Sequence, residues 1–116
     1  MSAYLVNHLR QPGIVHEDVL DYLERVQATL DPFDGKFVVQ GGELEILEGA
    51  WAGSVIVLSF PSMTAGRAWY RSAPYQEILH LRTDHVVGDL VLVDGVAPSH
   101  TPGRFALKLR HDFAYG

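Results

Sequence analysis

Five side chains in this 116-residue sequence have the chemistry to build a small-molecule site: His8, Glu48, Trp69, Tyr75 and Arg82. Arg82 lies one to two helical turns beyond Tyr75 and supplies a fixed cation for an anionic oxygen. Trp69 and Tyr75, with Trp51 and Tyr70, supply the aromatic area that lines an apolar cavity and excludes water. His8 is a candidate general acid or base because an imidazole titrates near neutral pH. It falls beside Tyr4 and Val6 on one face of an apolar strand, where a polar side chain needs a partner or a ligand. With the strand parity reversed, Asn7 takes that place. Glu48, ahead of Gly49, is a lone carboxylate at a strand end that could move a proton. Each residue also has a plainer reading: His8 as a hydrogen-bonded structural histidine, Trp69 and Tyr75 as core, and Arg82 as the partner of Glu77, Asp84 or a second subunit.

Missing motifs narrow the chemistry further. His8, His16, His80, His85, His100 and His111 form no His-x-His, His-x-Glu or His-Glu-x-x-His pattern, and His80 and His85 do not share a helical face. No dedicated metal site is therefore expected. With no cysteine, thiolate ligands, disulfides and a cysteine nucleophile are excluded. The sequence carries no Ser-His-Asp order, phosphate-cradling glycine loop or dinucleotide fingerprint, and Gly41-Gly42 reads as a hairpin turn. Any reaction is expected to run without a cofactor.

The elements that must position these residues follow from periodicity. Ala3–Arg10 alternates as a strand up to the Gln11-Pro12-Gly13 breaker. Val19, Leu20, Leu23, Val26 and Leu30 recur at helical spacing from Glu17 to Leu30, with acids in the first turn and Asp31-Pro32 as the stop. Residues 35–40 and 43–48 read as two short strands joined at Gly41-Gly42. Residues 54–60 form an apolar strand, too apolar to be wetted on one side. Ser62 is placed to cap a helix through Ala65, Ala68 and Trp69, broken at Ser72-Ala73-Pro74, and a second helical piece carries Tyr75, Ile78, Leu79 and Arg82. Residues 86–94 give the last strand. The tail, residues 98–116, fits an edge strand through Phe105, Leu107 and Leu109 or a helix through Phe105, Leu109 and Phe113, and periodicity does not arbitrate between them.

The order β-α-β-β-α-β predicts a ferredoxin-like α+β sandwich with both helices on one sheet face. Val55, Val57, Val91 and Val93 then point one way, and Ile56, Leu58, Leu90 and Leu92 the other. Helices cannot cover both sets. Burying a large apolar side chain contributes about 1.5 to 3 kcal/mol, so the open face predicts a homodimer with sheets packed together. Residues 1–96 form the domain and residues 97–116 an extension, read as an arm over a sheet edge or across the dimer.

The stretch from Phe60 to Gln76, containing Pro61-Ser62-Met63-Thr64-Ala65-Gly66-Arg67-Ala68-Trp69-Tyr70, with Arg82 six residues on, resembles the DUF1330 family. So do Gly35-Lys36-Phe37-Val38-Val39-Gln40-Gly41-Gly42, Leu47-Glu48-Gly49 and Val91-Leu92-Val93-Asp94-Gly95, over roughly residues 3–95. The resemblance implies the dimeric α/β-barrel superfamily, in which two ferredoxin-like sheets close a barrel around a cavity. Relatives there include small monooxygenases, isomerases and dehalogenating or decarboxylating enzymes. The family more often has Ser-Pro-Glu-Tyr where this chain has Ser72-Ala73-Pro74-Tyr75, so no glutamate is carried over.

Composition agrees with one globular domain: 47% hydrophobic and 20% charged residues, net charge −5. Residues 1–58 carry three Lys/Arg against nine Asp/Glu and residues 59–116 six against five, so neither half is a nucleic-acid footprint. No apolar run approaches the roughly 20 residues that span a bilayer, and the first residues do not read as a secretory leader, so a cytoplasmic protein with no membrane partner is expected. Two functional readings follow. One is a cofactor-independent enzyme acting on a small organic acid or aromatic metabolite, with Arg82 orienting the anion and His8 or Glu48 moving a proton. The other is a non-catalytic small-molecule-binding or interaction domain.

Overall fold

In the computed structural model, which describes residues 2–10 and 13–115, the chain runs β1 (Ala3–Arg10), α1 (Glu17–Leu30), a 3-10 turn (Asp31–Phe33), β2 (Lys36–Val39), β3 (Ser54–Phe60), α2 (Met63–Arg71), α3 (Ala73–Thr83), β4 (Val87–Asp94) and α4 (Pro102–Tyr115). The expected Gln11-Pro12 breaker lies outside the described residues. Every strand pair is antiparallel and the sheet order is β2-β3-β1-β4. This is the ferredoxin-like α+β sandwich that the element order predicts. Central β1 pairs on both sides: Asn7 stands opposite Ile56 and Leu90, and Leu5 opposite Leu58 and Leu92.

Local chemistry sets the helix starts. His16 caps α1, its Nδ1 accepting the Asp18 backbone N–H at 3.0 Å, and Ser62 Oγ caps α2 by accepting from Ala65 N–H at 3.1 Å. Ser72 separates α2 from α3, donating its hydroxyl to Trp69 O at 2.6 Å, and Pro74 occupies the first turn of α3. The core lies between these helices and one sheet face, around Leu5, Leu30, Leu58, Phe60, Trp69 and Ile78.

Two expectations need correction, and one open reading is decided. Leu20 and Leu23 are 48% and 42% exposed, and Tyr22 and Thr29 take buried positions beside Val19, Val26 and Leu30. Their hydroxyls find partners on the other helices, so their polarity does not bar them from the core. Residues 43–48 form no strand, and Leu44, Ile46 and Leu47 are exposed. Alternation without a hydrogen-bonded neighbour makes no strand, and this segment leaves the free edge of β2 unpaired. Of the two readings left open for the tail, the helix is the one that forms, started by Thr101 Oγ1 accepting from Arg104 N–H at 3.2 Å with Pro102 at its head. Phe105, Leu107 and Phe113 along it are exposed.

The sheet's outer face carries Tyr4, Val39, Val91 and Val93, all exposed, whereas Leu5, Leu58, Leu90 and Leu92 pack toward the helices. Residues 40–53 return across the outer end of β1. At Gly53 the backbone takes φ +104°, and a Cβ would run into the Leu9 carbonyl, so only glycine lets this loop pass so close. No described helix is long and apolar enough to cross a membrane.

Candidate functional site

A cavity of about 210 Å³ opens between the helix-facing side of the sheet and helices α1 and α3. Val19, Phe37, Ile56, Leu58, Val86 and Leu90 give it an apolar wall, Asn7, Tyr22, Trp69, Tyr75 and Arg82 bring buried polar groups, and the exposed Gln40 and Ser54 also line it. Tyr75, Ile78 and Arg82 fall on one face of α3 through their spacing of three and four residues, and all three are buried. Tyr22 reaches across from α1, its hydroxyl 2.9 Å from that of Tyr75. The Arg82 guanidinium sits over the Tyr22 ring, 5.7 Å from its centroid. Trp69 is fixed by donating Nε1–H to Thr29 Oγ1 at 3.0 Å, and its ring lies 4.0 Å from that of Tyr75.

Arg82 is 6% exposed, and no described carboxylate pairs with it. Burial works against its charge, but the Tyr75 and Tyr22 oxygens outweigh burial and hold the guanidinium above its ordinary range. Tyr22 is pushed far above the usual phenol range, first by burial and then by Tyr75, despite the opposing pull of Arg82. The site therefore presents a permanent cation beside a neutral phenolic donor, in a poorly solvated setting. Chemically, that arrangement is suited to hold an anionic oxygen, whether present in a ligand or developing during a reaction. No described histidine, aspartate or glutamate lines the cavity.

Trp69, Tyr75 and Arg82, three of the five residues singled out from sequence, are thus brought together. His8 and Glu48 are not with them. His8 points from the other side of the sheet, its Nε2 hydrogen-bonded to the Ala52 carbonyl and its ring 4.3 Å from Trp51. Arg10 Nη1 reaches His8 Nδ1 at 3.3 Å and Asp89 Oδ2 at 2.9 Å. Glu48 sits in the exposed 40–53 loop, on a shallow outer depression shared with Trp51 and Val55. The parity alternative holds: Asn7, not His8, faces the helices, and its buried Oδ1 has no hydrogen-bond partner. Neither Glu77 nor Asp84 pairs with Arg82. Tyr22 was missed because its ring falls on the buried stripe of α1 while its hydroxyl reads as polar.

A second cluster escaped the sequence because its members lie on separate elements. His16 at the head of α1, Asp18 in its first turn and His85 after α3 bring donor atoms within 4.8 Å of one another. His85 Nε2 lies 2.9 Å, and His16 Nδ1 3.6 Å, from Asp18 Oδ2. The His85 hydrogen bond holds the Asp18 carboxyl below the usual range, against a smaller opposing effect of burial. The two imidazoles stack at 3.7 Å with planes 9° apart. A metal bound equally to both would stand about half that gap out of each ring plane, far from the in-plane lone pairs at a bond length of roughly 2.0 to 2.1 Å. His16 Nδ1 is moreover engaged in capping α1. As placed, the cluster is a hydrogen-bonded clasp between α1 and the α3–β4 turn.

The fold is shared with several solved structures. A Rhodopseudomonas palustris protein of unknown function, RPA0582, is 22% identical, covering 84% of each chain with a TM-score of 0.63. SnoaB, a cofactor-independent oxygenase from Streptomyces nogalater, is 9% identical over 86% of this chain and 98% of its own, TM-score 0.58. An antibiotic biosynthesis monooxygenase is 14% identical over 84% of this chain and 100% of its own, TM-score 0.50. No curated protein matches the sequence. The profile of the family described as a domain of unknown function, DUF1330, matches residues 2–96, which carry the whole sheet, α1 to α3 and every cavity residue. On that match the chain belongs to the DUF1330 family.

Proposed function

We propose that the cavity takes up a small organic acid or phenolic aromatic metabolite as its anion, and acts on it without a cofactor. The observation that carries this reading is Arg82, a buried cation facing a cavity with two tyrosine hydroxyls and no carboxylate to neutralise it. The ligand's anionic oxygen supplies the missing counter-charge, and Trp69 and Tyr75 shield it from water. The volume, below the roughly 300 to 1,000 Å³ of drug-sized pockets, suits a single substituted ring. The kinship in fold with a cofactor-independent oxygenase is consistent with chemistry on a stabilised carbanion or phenolate.

The absence of a described histidine or carboxylate in the cavity favours a second reading, a binding domain that holds the anion without converting it. Oxygen uptake and product formation with a dihydroxybenzene, set beside calorimetric binding of benzoate, separate the two. Turnover lost in Arg82→Met supports the enzyme, and binding without turnover supports the binding domain. Neither binding nor turnover rejects the site.

The exposed valines of the outer face support a homodimer through that face, with residues 97–116 as an arm on the 1–96 domain. His8 and Glu48 would then meet the second copy and not the ligand.

A further inference from the structure

Asn7 is out of place among its neighbours. Around it the helix-facing side of the two central strands and β4 is Leu5, Ile56, Leu58 and Leu90, yet Asn7 is buried to 9% exposure with its Oδ1 unpartnered. A buried amide oxygen without a hydrogen bond disfavours the fold, and a leucine would fit the pattern of its strand. Such an orphan persists where something outside the chain completes it. Asn7 lines the same cavity as Arg82, Tyr22 and Tyr75, so the buried polar groups of the wall ask for different things. Arg82 and the phenols donate to an anion, whereas Asn7 Oδ1 accepts from a donor.

We propose that the ligand is bifunctional: an organic anion that also carries a hydroxyl or amino donor, which Asn7 reads. This rests on the anion-binding reading above and narrows it to hydroxy- or amino-substituted small acids, aromatic ones by the rings that line the cavity. Selection by such a group is stronger than selection by size, because the analogue lacking the donor leaves the Asn7 oxygen unpaired.

Calorimetry with benzoate and with 2-, 3- and 4-hydroxybenzoate tests this, since the three isomers set the hydroxyl at three distances from the carboxylate. The readout is the ratio of affinities, hydroxybenzoate over benzoate. At least one isomer is expected to bind five times or more tighter than benzoate, and in Asn7→Leu that ratio falls below two. Asn7→Leu is also expected to melt at a higher temperature than the parent, which a merely structural asparagine would not allow. Asn7→Ala repeats the ratio should leucine disturb the sheet. Ratios below five for every isomer, as when a water molecule satisfies Asn7, overturn the proposal, as does a preference that survives both substitutions. In those cases benzoate still binds and depends on Arg82, so the anion reading stands. Failure of benzoate and all three isomers to bind removes both.

Discussion

Replacing Arg82 by methionine tests whether the cavity is built for an anion. Among the described residues lining it, Arg82 is the only charged one. A carboxylate about 4 Å from its charge would gain about 4 kcal/mol at an effective dielectric of 20. Desolvating the carboxylate offsets much of that, and charge-assisted hydrogen bonds contribute about 1.5 to 3 kcal/mol net. At about 1.4 kcal/mol per tenfold, Arg82→Met should bind benzoate roughly 10- to 150-fold more weakly. Benzamide, its neutral isostere, should be little affected. Stability should move less than affinity. The lost contact with the Tyr22 ring costs about 0.5 to 2 kcal/mol, and the variant no longer buries a charge. Calorimetry with both ligands, beside a thermal melt, reads all of this. A folded Arg82→Met that binds benzoate within twofold of the parent would refute the assignment of Arg82 as the anion's counter-charge. Arg82→Lys should recover only part of the affinity, because it restores the charge without the planar fork.

Other consequences can be measured on the same protein. Because Tyr22 holds its proton above the ordinary phenol value of 10.0, its contribution to stability is complete below pH 10 and declines as pH rises beyond it, where the unfolded chain ionises first. Absorbance at 295 nm should therefore show a late tyrosine ionisation that coincides with unfolding, and Tyr22→Phe should diminish that late phase while costing about 1 kcal/mol near neutrality through the lost bond to Tyr75. Asp18 has the opposite sign. Held below 3.8 by His85, its carboxylate stabilises the fold above that pH, and the contribution disappears as pH falls further, so the gap in melting temperature between the parent and Asp18→Asn should close in acid. Removing residues 98–116 should weaken the proposed dimer in sedimentation equilibrium, and unchanged dissociation would show that α4 is no dimer arm.

The elements that carry backbone punctuation were readable from the sequence. Ser62, the Ser72-Ala73-Pro74 break and Asp31-Pro32 announced their helix ends, because caps and prolines act locally. Tyr75 and Arg82 could be matched as partners because helical spacing alone puts them on one face. Alternation misled at residues 43–48, where the pattern does not pair although β2 offers a free edge, and the hydrophobic stripe misled at Leu20 and Leu23, where hydroxyl-bearing Tyr22 and Thr29 took the buried side. Strand parity relates Asn7 and His8 to each other but does not say which face the helices cover. The contact of His16 with His85 joins the two ends of the α1–α3 pair, a placement that only the tertiary fold creates.

Two hydrogen bonds inside the core, Tyr22 to Tyr75 and Trp69 to Thr29, have a consequence for how the helices are indexed. Apolar side chains tolerate sliding, since one leucine replaces another at little cost. Here α1 is keyed to α3 by one hydroxyl pair and to α2 by the other bond, seven residues apart along α1. A slip of a single turn, about 5.4 Å, would break both keys and deprive the Tyr22 and Tyr75 hydroxyls and the Trp69 N–H of these partners, while Thr29 keeps its bond to the Val26 carbonyl. The pair acts as a vernier that admits one setting of α1, and the distance between Arg82 and the sheet is thereby fixed before any ligand arrives.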